Sequence, residues 1–137
     1  MTICCKGELI DLSRPRVMGV LNSTPDSFFD GGKYWDPYLG LKQVEAMLGE
    51  GADFIDVGGF SSRPGAAEVS ETEELKRVIP MIEGVLEEFP QTLISVDTFR
   101  AEVARKALDA GACMVNDISA GLRDPQMLPL IAEYPVP

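Results

Sequence analysis

Four polar side chains stand where short apolar stretches of the sequence end, and their types suit the binding of a small molecule. They are Asn22, Asp56, Asp97 and Asn116. The apolar stretches are typical of strands buried on both faces of a parallel sheet. Because parallel strands carry their carboxyl ends to one edge of a sheet, we expect these four side chains to converge there. That edge is where α/β barrels and open α/β sheets hold their ligands.

A carboxylate and an amide at such an edge suit the recognition of a polar ring. Asp97 needs hydrogen-bond donors because burying an unpaired charge is costly, and a heterocycle with adjacent ring N–H and amino groups offers two. Asn116 can donate and accept, which suits the other edge of the ring. The alternative for Asp97 is to cap the following helix, a role for which Thr98 competes. Asp56 precedes Gly58-Gly59, where backbone can approach a ligand closely; its alternative is a structural hydrogen bond to a neighbouring strand end.

Two loops that follow the first two apolar stretches carry groups for an anion and an aromatic ring. The segment from Ser61 to Gly65 offers hydroxyls, amide N–H groups and the guanidinium of Arg63, which together favour an anion cradle. It is not a Walker loop, because it lacks Gly-Lys-Ser/Thr; a solvated arginine in a plain turn is the alternative. Asn22 offers a neutral oxygen to Mg²⁺, which also binds substrate phosphate and water. Phe28 and Pro64 either cover an aromatic substrate or pack locally.

The elements that must position these side chains alternate between strand and helix. A hairpin is predicted over residues 1–16, and strands are predicted over residues 17–22, 54–59, 93–97 and 113–118. Strands that alternate with helices indicate a parallel sheet with right-handed crossovers. Four such units in a single domain, residues 1–137, are half of a (β/α)8 TIM barrel, whose complete form runs to about 250 residues. The alternative is a small, open, doubly wound sheet.

The helices of these units have recognisable start signals. Asp36-Pro37 and Asp124-Pro125 each pair an N-cap with a proline at the first helical position. Ser70 and Glu73 have capping-box spacing. Pro80 lies inside the helix that follows, so we expect a kink or a late helix start there. The last helix is predicted to turn three apolar side chains inward, those of Leu128, Leu130 and Ile131.

Composition excludes several classes of function. The 137 residues carry a net charge of −10, which disfavours a nucleic acid or an anionic membrane as partner. The absence of His excludes a Ser-His pair, a His general base and His metal ligands. Cys4, Cys5 and Cys113 form neither a disulfide framework nor a zinc pattern and suit a reducing cytoplasm. Because there is no signal-peptide pattern and no apolar run of membrane-spanning length, we expect a cytoplasmic protein.

Two long segments and two short ones resemble the signatures of dihydropteroate synthase. Residues 17–32, VMGVLNSTPDSFFDGG, are similar to the family's usual MG(I/V)LNVTPDSFSDGG, and residues 51–66, GADFIDVGGFSSRPGA, are similar to GADIIDIGGESTRPGA. Residues 94–98 and 115–119 resemble the SVDT and NDIS strand ends that follow. The match covers nearly the whole chain in the right order, which makes it far more specific than a single short glycine motif.

The resemblance implies a (β/α)8 barrel enzyme of folate biosynthesis. The family joins 6-hydroxymethyl-7,8-dihydropterin pyrophosphate to 4-aminobenzoate and releases pyrophosphate with Mg²⁺, and sulfonamides compete with 4-aminobenzoate. No catalytic residue is assigned; the roles that the resemblance implies are binding roles. The pterin would be held by Asp97, Asn116 and Ile118, with Asp56 nearby. The pyrophosphate would be held by Asn22, Ser62 and Arg63, and Asn22 would also lie at the Mg²⁺. The 4-aminobenzoate would be held by Phe28, Pro64 and Ser62.

The sequence departs from the family pattern at three positions and in length. Ser23 stands in place of the usual Val, Phe60 in place of Glu, and Ser62 in place of Thr. Ser62 keeps a hydroxyl, whereas Phe60 removes a charge. The family's second half supplies a further pterin-binding Asp, a Lys and an Arg–His pair, and its later helices form a homodimer. None of these is present here, so we expect a fragment with an incomplete site that is inactive alone.

Two other functions remain open at this point. One is a pterin-binding methyltransferase domain, which shares the barrel and the strand-end Asp and Asn. The NSTPDSF and SSRPG loops argue against it. The other is a half barrel that binds a pterin without catalysis.

Overall fold

The computed structural model describes residues 1–25, 29–30, 34–61 and 63–137. The predictions for Phe28 and Ser62 lie outside these residues. The strands are β1 Thr2–Cys5, β2 Glu8–Asp11, β3 Met18–Asn22, β4 Phe29–Asp30, β5 Tyr34–Trp35, β6 Phe54–Gly58, β7 Leu93–Asp97 and β8 Met114–Asn116. The helices are α1 Pro37–Gly49, α2 Glu71–Glu88, α3 Ala101–Asp109 and α4 Met127–Glu133. None of these helices, which are those of the described residues, is long and apolar enough to cross a bilayer.

The sheet that carries the site has the strand order β3-β6-β7-β8, and all of its neighbours pair in parallel. Its register places the strand ends in one row, which consists of Asn22, Gly58, Asp97 and Asn116. Two residues earlier lies a deeper row of Val20, Asp56, Ser95 and Met114. The predicted parallel sheet is therefore confirmed.

The two faces of this sheet differ in what covers them. One face packs against the helices and forms the main core, in which Leu21, Ile55 and Val96 meet Val78 and Ile82. The opposite face carries the two rows described above. On it Val20 is 59% exposed, although it lies in the middle of a strand. This is the open face of the sheet, and a closed barrel would enclose it.

The predicted N-terminal hairpin is confirmed and forms its own small cluster with the sheet. β1 pairs with β2 in antiparallel register. Cys5 of the hairpin is buried with Phe54 and Cys113, which lie at the amino ends of β6 and β8. The hairpin therefore lies against the end of the sheet opposite the strand carboxyl ends.

Two of the predicted helix starts are confirmed, but the expectation of a late start at Pro80 is wrong. The Asp36 side chain accepts from the N–H of Tyr38, and the Ser70 hydroxyl accepts from the N–H of Glu73 at 3.2 Å. Helix α2 then runs without a break from Glu71 to Glu88, with Pro80 inside it. Its buried side chains lie on both sides of the proline, and this packing against the sheet outweighs the missing N–H.

The last helix begins later than predicted. α4 starts at Met127, and the Asp124 carboxylate accepts both from the N–H of Gln126 and, at 2.8 Å, from the N–H of Ala101. Asp124 therefore also caps the first turn of α3. The inward placement of Leu128 is wrong, because its side chain is 66% exposed. Leu130 is buried as predicted, and Ile131 is partly buried beside it. Met127, three residues before Leu130 on the same helical face, is buried in place of Leu128.

Candidate functional site

The convergence expected at the carboxyl ends of the strands is present. Asn22, Asp97 and Asn116 share one row of the open face. Gly58 occupies the position between Asn22 and Asp97. A Cβ at Gly58 would lie 3.4 Å from the Asp97 Cβ and 3.7 Å from the Asn22 Oδ1, so glycine leaves the space between the two polar side chains free. The row thus presents two amides and a carboxylate around a gap.

Asp56 lies one layer deeper and is 3% exposed. Its Oδ2 accepts a hydrogen bond from the Asn116 Nδ2 at 3.1 Å, so the structural hydrogen bond considered for Asp56 is present. Its Oδ1 and the Ser95 hydroxyl are buried and have no hydrogen-bond partner among the described residues. Burial raises the pKa of Asp56, and the nearby Ser95 hydroxyl and Asn116 amide offset this only in part.

Asp97 does not cap the following helix. The Thr98 hydroxyl accepts from the N–H of Arg100 at 3.1 Å, and the first turn of α3 is capped by Asp124. The Asp97 carboxyl is half-buried, and burial is the largest cause that raises its pKa to about 6. The negative charges of Asp56, Glu74 and Asp117 raise this pKa further. A partly buried carboxyl that is surrounded by negative charges favours a ligand that brings hydrogen-bond donors.

A buried ion pair holds the loop that follows Asp97. Glu74 of α2 is fully buried. It accepts from the Thr98 hydroxyl at 2.5 Å and from the Arg100 Nη1 at 3.0 Å. Arg100 also donates to the Val69 carbonyl at 2.7 Å. Through the buried carboxylate of Glu74, helix α2 therefore holds the loop after β7 directly. Through Arg100 it also holds Val69, at the end of the loop after β6.

The same helix fixes the loop after β3 through a residue that departs from the family pattern. The Ser23 hydroxyl is buried and donates to the Arg77 carbonyl at 2.9 Å. Arg77 in turn donates to the Gly59 carbonyl at 3.0 Å, at the end of β6. The Ser found in place of the usual Val thus joins the first site loop to α2.

Sequence reasoning missed Glu74 as a residue that supports the site. A signal was available, because Glu74 falls on the same helical face as Val78, Met81 and Val85. A carboxylate on an otherwise apolar helix face must find partners when it is buried. The partners, Thr98 and Arg100, come from another βα unit, and periodicity within α2 could not identify them.

A cleft of about 260 Å³ opens beside Asp97, between the loops that follow β6, β7 and β8. Ile118 lines it and is 81% exposed. Phe60 packs edge to face on Phe99, with ring centroids 5.7 Å apart, and the Arg123 guanidinium lies 3.6 Å from the Phe99 ring centroid. Phe60, which replaces the usual Glu, therefore forms part of an aromatic wall. Predicted pterin-site residues Asp97 and Ile118 both line this cleft.

The predicted anion loop is less well assembled. Arg63 and Pro64 are exposed residues of the loop after β6, and the Arg63 N–H donates to the Ser61 hydroxyl at 3.2 Å. Asn22 is half-buried at the end of β3. Among the described residues no three His, Cys, Asp or Glu side chains lie close enough together to hold a metal ion.

Comparisons with known proteins agree with the fold described above. A family model described as pterin binding enzyme matches residues 18–137. A dihydropteroate synthase of Streptococcus pyogenes serotype M1 is 49% identical over 131 residues, which are 96% of this chain and 49% of that protein. The solved dihydropteroate synthase of Xanthomonas albilineans with 4-aminobenzoic acid gives a TM-score of 0.89 at 46% identity, over 99% of this chain and 50% of the other. The solved dihydropteroate synthase of Yersinia pestis with a sulfonamide drug gives a TM-score of 0.87 at 46% identity, over 100% of this chain and 49% of the other.

The chain spans about half the length of the relatives that it matches. Its four parallel strands with helices on one face correspond to half of their (β/α)8 barrel, so the predicted half barrel is confirmed. The alternative of a small, open, doubly wound sheet is wrong.

Proposed function

Because this chain belongs to the family of pterin binding enzymes, we propose that it functions in the synthesis of 7,8-dihydropteroate. In this reaction the amine of 4-aminobenzoate attacks the exocyclic methylene of 6-hydroxymethyl-7,8-dihydropterin pyrophosphate. A C–N bond forms, the C–O bond to pyrophosphate breaks, and the amine loses a proton. The observation that carries the proposal is the row of Asp97 and Asn116 beside the gap at Gly58, on the open face of the sheet.

The pterin is proposed to bind at this row. No described residue donates a hydrogen bond to the Asp97 carboxyl, which therefore accepts from the ring N–H and amino groups. Asn116 supplies a second polar contact in the same row. Ile118 is exposed beside Asp97 and offers an apolar surface to the ring. Asp56 lies buried one layer beneath the row, next to Asn116. The contacts of Asp97, Asn116 and Ile118 bind and orient the ring, and none of them moves a proton at the reacting methylene.

The pyrophosphate and 4-aminobenzoate are proposed to bind at the rim above the pterin. Asn22, Ser62 and Arg63 serve the pyrophosphate, and Phe28, Pro64 and Ser62 serve 4-aminobenzoate. Mg²⁺ fits the chemistry of Asn22, a neutral oxygen ligand at the end of β3. Because the described residues bring no carboxylate cluster to it, substrate phosphate and water would supply most of its ligands. When bound, Mg²⁺ offsets the charge of the leaving pyrophosphate.

The open face of the sheet bears on whether the chain works alone. Val20 is exposed in the middle of β3, and Asn116 is exposed at the end of β8. A ligand on this row is therefore covered on one side only. We expect that the chain alone forms no product and that residues from a second half are required. We further propose a cytoplasmic protein, a homodimer when complete, with sulfonamides competing for the 4-aminobenzoate position.

The first test is product formation from dihydropterin pyrophosphate, 4-aminobenzoate and Mg²⁺, by this chain alone and with the second half of a relative supplied in trans. Product only in the second case supports the proposal. Transfer of a methyl group from methyltetrahydrofolate, without condensation, would contradict it. Retained pterin affinity with no turnover in either case would instead support a binding protein without catalysis.

The anion role of Arg63 has a separate test. Calorimetry should show that Arg63→Ala weakens binding of the dihydropterin pyrophosphate more than binding of the corresponding alcohol, because only the former carries the charged group. Arg105→Ala is the matched control, since Arg105 is an exposed arginine on α3 that faces Glu133. Equal losses for the two ligands would show that Arg63 does not contact the pyrophosphate.

A further inference from the structure

The Asn116 side chain has one hydrogen-bond partner among the described residues, the Asp56 carboxylate. The main chain of Asn116 is fixed separately, because its carbonyl accepts from the N–H of Thr98 at 3.1 Å. That bond leaves the side-chain amide free to turn. The contact from Asn116 Nδ2 to Asp56 Oδ2, at 3.1 Å, therefore decides which way the amide faces.

A carboxylate allows only one of the two amide orientations. An ionised Asp side chain accepts hydrogen bonds and cannot donate them, whereas an Asn side chain has a donor on one side and an acceptor on the other. If the Asn116 amide turned over, its oxygen would lie against the Asp56 oxygen, and two acceptors would face each other. With Nδ2 held by Asp56, Oδ1 faces away from it, in the row that Asn116 shares with Asp97.

The burial of Asp56 is hard to explain by stability alone. Among the described residues its Oδ1 has no hydrogen-bond partner, and the Ser95 hydroxyl beside it in register has none either. A buried carboxylate with one unpaired oxygen is destabilising. An Asn at position 56 would avoid the buried charge, but two facing amides could turn over together and would not fix a single orientation. The carboxylate therefore gives a fixed direction that a neutral residue of the same shape would not give.

We propose that Asp56 is a positioning residue that holds the Asn116 amide with its oxygen toward the ligand, so that Asn116 and Asp97 read a ring edge rich in N–H donors. This rests on the proposed function, because the ring is taken to be the pterin. It assigns Asp56 a role through Asn116 rather than through the ligand. It also identifies what is selected: a 2-amino pteridine over its 2-oxo counterpart, which presents a carbonyl in place of the amino group.

The ligand test is a double-mutant cycle on this preference. The affinities of 6-hydroxymethyl-7,8-dihydropterin and its 2-oxo counterpart are measured by calorimetry for wild type, Asp56→Asn, Asn116→Ala and the double variant. Asp56→Asn is expected to narrow the affinity ratio of the amino to the oxo compound by up to about tenfold, the upper end for one neutral hydrogen bond, here the one to the Asn116 oxygen. In the Asn116→Ala background the same change should have no further effect. Additive effects would mean that Asp56 contacts the ligand directly, which would overturn the proposal.

Ser95→Ala is the matched control, because it removes the hydroxyl beside Asp56 in the same layer and leaves the contact between Asp56 and Asn116 in place. It should leave the preference within about twofold of wild type. A preference lost equally in Ser95→Ala and Asp56→Asn would indicate general disturbance of the layer and would count against a positioning role.

A second measurement needs no ligand. The side-chain amide of Asn116 is assigned in ¹⁵N spectra by its loss in Asn116→Ala. Its hydrogen-bonded N–H should lie downfield of the free side-chain amides and move back toward them in Asp56→Ala. An Asn116 signal that is the same in wild type and Asp56→Ala overturns the proposal. If wild type binds neither pteridine even with the second half of a relative supplied in trans, but the Asn116 signal moves, the proposed function fails while the positioning role stands.

Discussion

Replacing Asp97 by Asn should stabilise the protein near neutral pH while removing a ligand contact. The pKa of Asp97 is raised from 3.8 to about 6, first by burial and then by Asp56, Glu74 and Asp117. An acid whose pKa is higher in the folded state binds its proton more tightly there. Its contribution to stability is therefore fully present below about pH 4 and is lost as the pH rises through about 6. At neutral pH the ionised side chain destabilises the fold.

The size of this effect follows from the difference between the two pKa values. About two pKa units, at about 1.4 kcal/mol each, correspond to about 2 to 3 kcal/mol at pH 7. Asp97→Asn removes the charge and keeps the shape, so it should raise the free energy of unfolding by that amount at about pH 7. At about pH 4 the gain should fall below about 1 kcal/mol, because the folded wild type is then protonated at Asp97.

The assay is urea unfolding of wild type and Asp97→Asn at both pH values. Asp53→Asn is the control, because it is the same substitution with the opposite expected sign. The N–H of Val17, and then Arg16, lower the pKa of Asp53, so the control should destabilise at neutral pH and lose its effect in acid. A gain for Asp97→Asn that is absent at pH 7, or is equal at the two pH values, would refute the reasoning.

Two further predictions concern the contacts through which α2 holds the site loops. Arg100→Met should lower the free energy of unfolding by about 3 kcal/mol, measured by urea unfolding, because Glu74 is left as an unpaired buried charge. The double variant Arg100→Met with Glu74→Met should recover much of that loss. If it does not, Arg100 stabilises the protein through contacts other than the one with Glu74. Ser23→Ala should cost about 1 kcal/mol by removing the bond to the Arg77 carbonyl. The exposed change Ser13→Ala is its control, and equal small effects would show that the buried bond contributes nothing.

The fold was predictable from the sequence because its signals are local. Apolar runs, start signals such as Asp36-Pro37, and the spacing of Ser70 and Glu73 each depend on a few neighbouring residues. The signals failed where a distant element competes for the same group. Asp124 was expected only to start its own helix, and its carboxylate also binds the N–H of Ala101. Pro80 was expected to kink α2 or to delay its start, and that helix already begins at Glu71 and continues past the proline.

The site was predictable as a set of strand-end residues but not as a set of contacts. The register that places Asn22, Asp97 and Asn116 in one row follows from parallel pairing, which the sequence indicates. The bond between Asn116 and Asp56 joins side chains sixty residues apart, and no spacing in the sequence predicts it. Ser23 illustrates the same limit, since its partner lies in α2.

The polar groups that lower stability are concentrated on the open face of the sheet. Asp56 keeps an unpaired buried oxygen there, and Asp97 carries a charge that its surroundings disfavour. On the helix-covered side, Glu74 is a buried charge, and both of its oxygens have partners. A sequence selected for stability alone would place apolar side chains on both faces of a buried parallel sheet. The half-buried Asp97 carboxyl is therefore best explained by a ligand that supplies the missing donors, and Asp56 by the amide that it holds, as local conflicts in a fold are expected to mark functional sites.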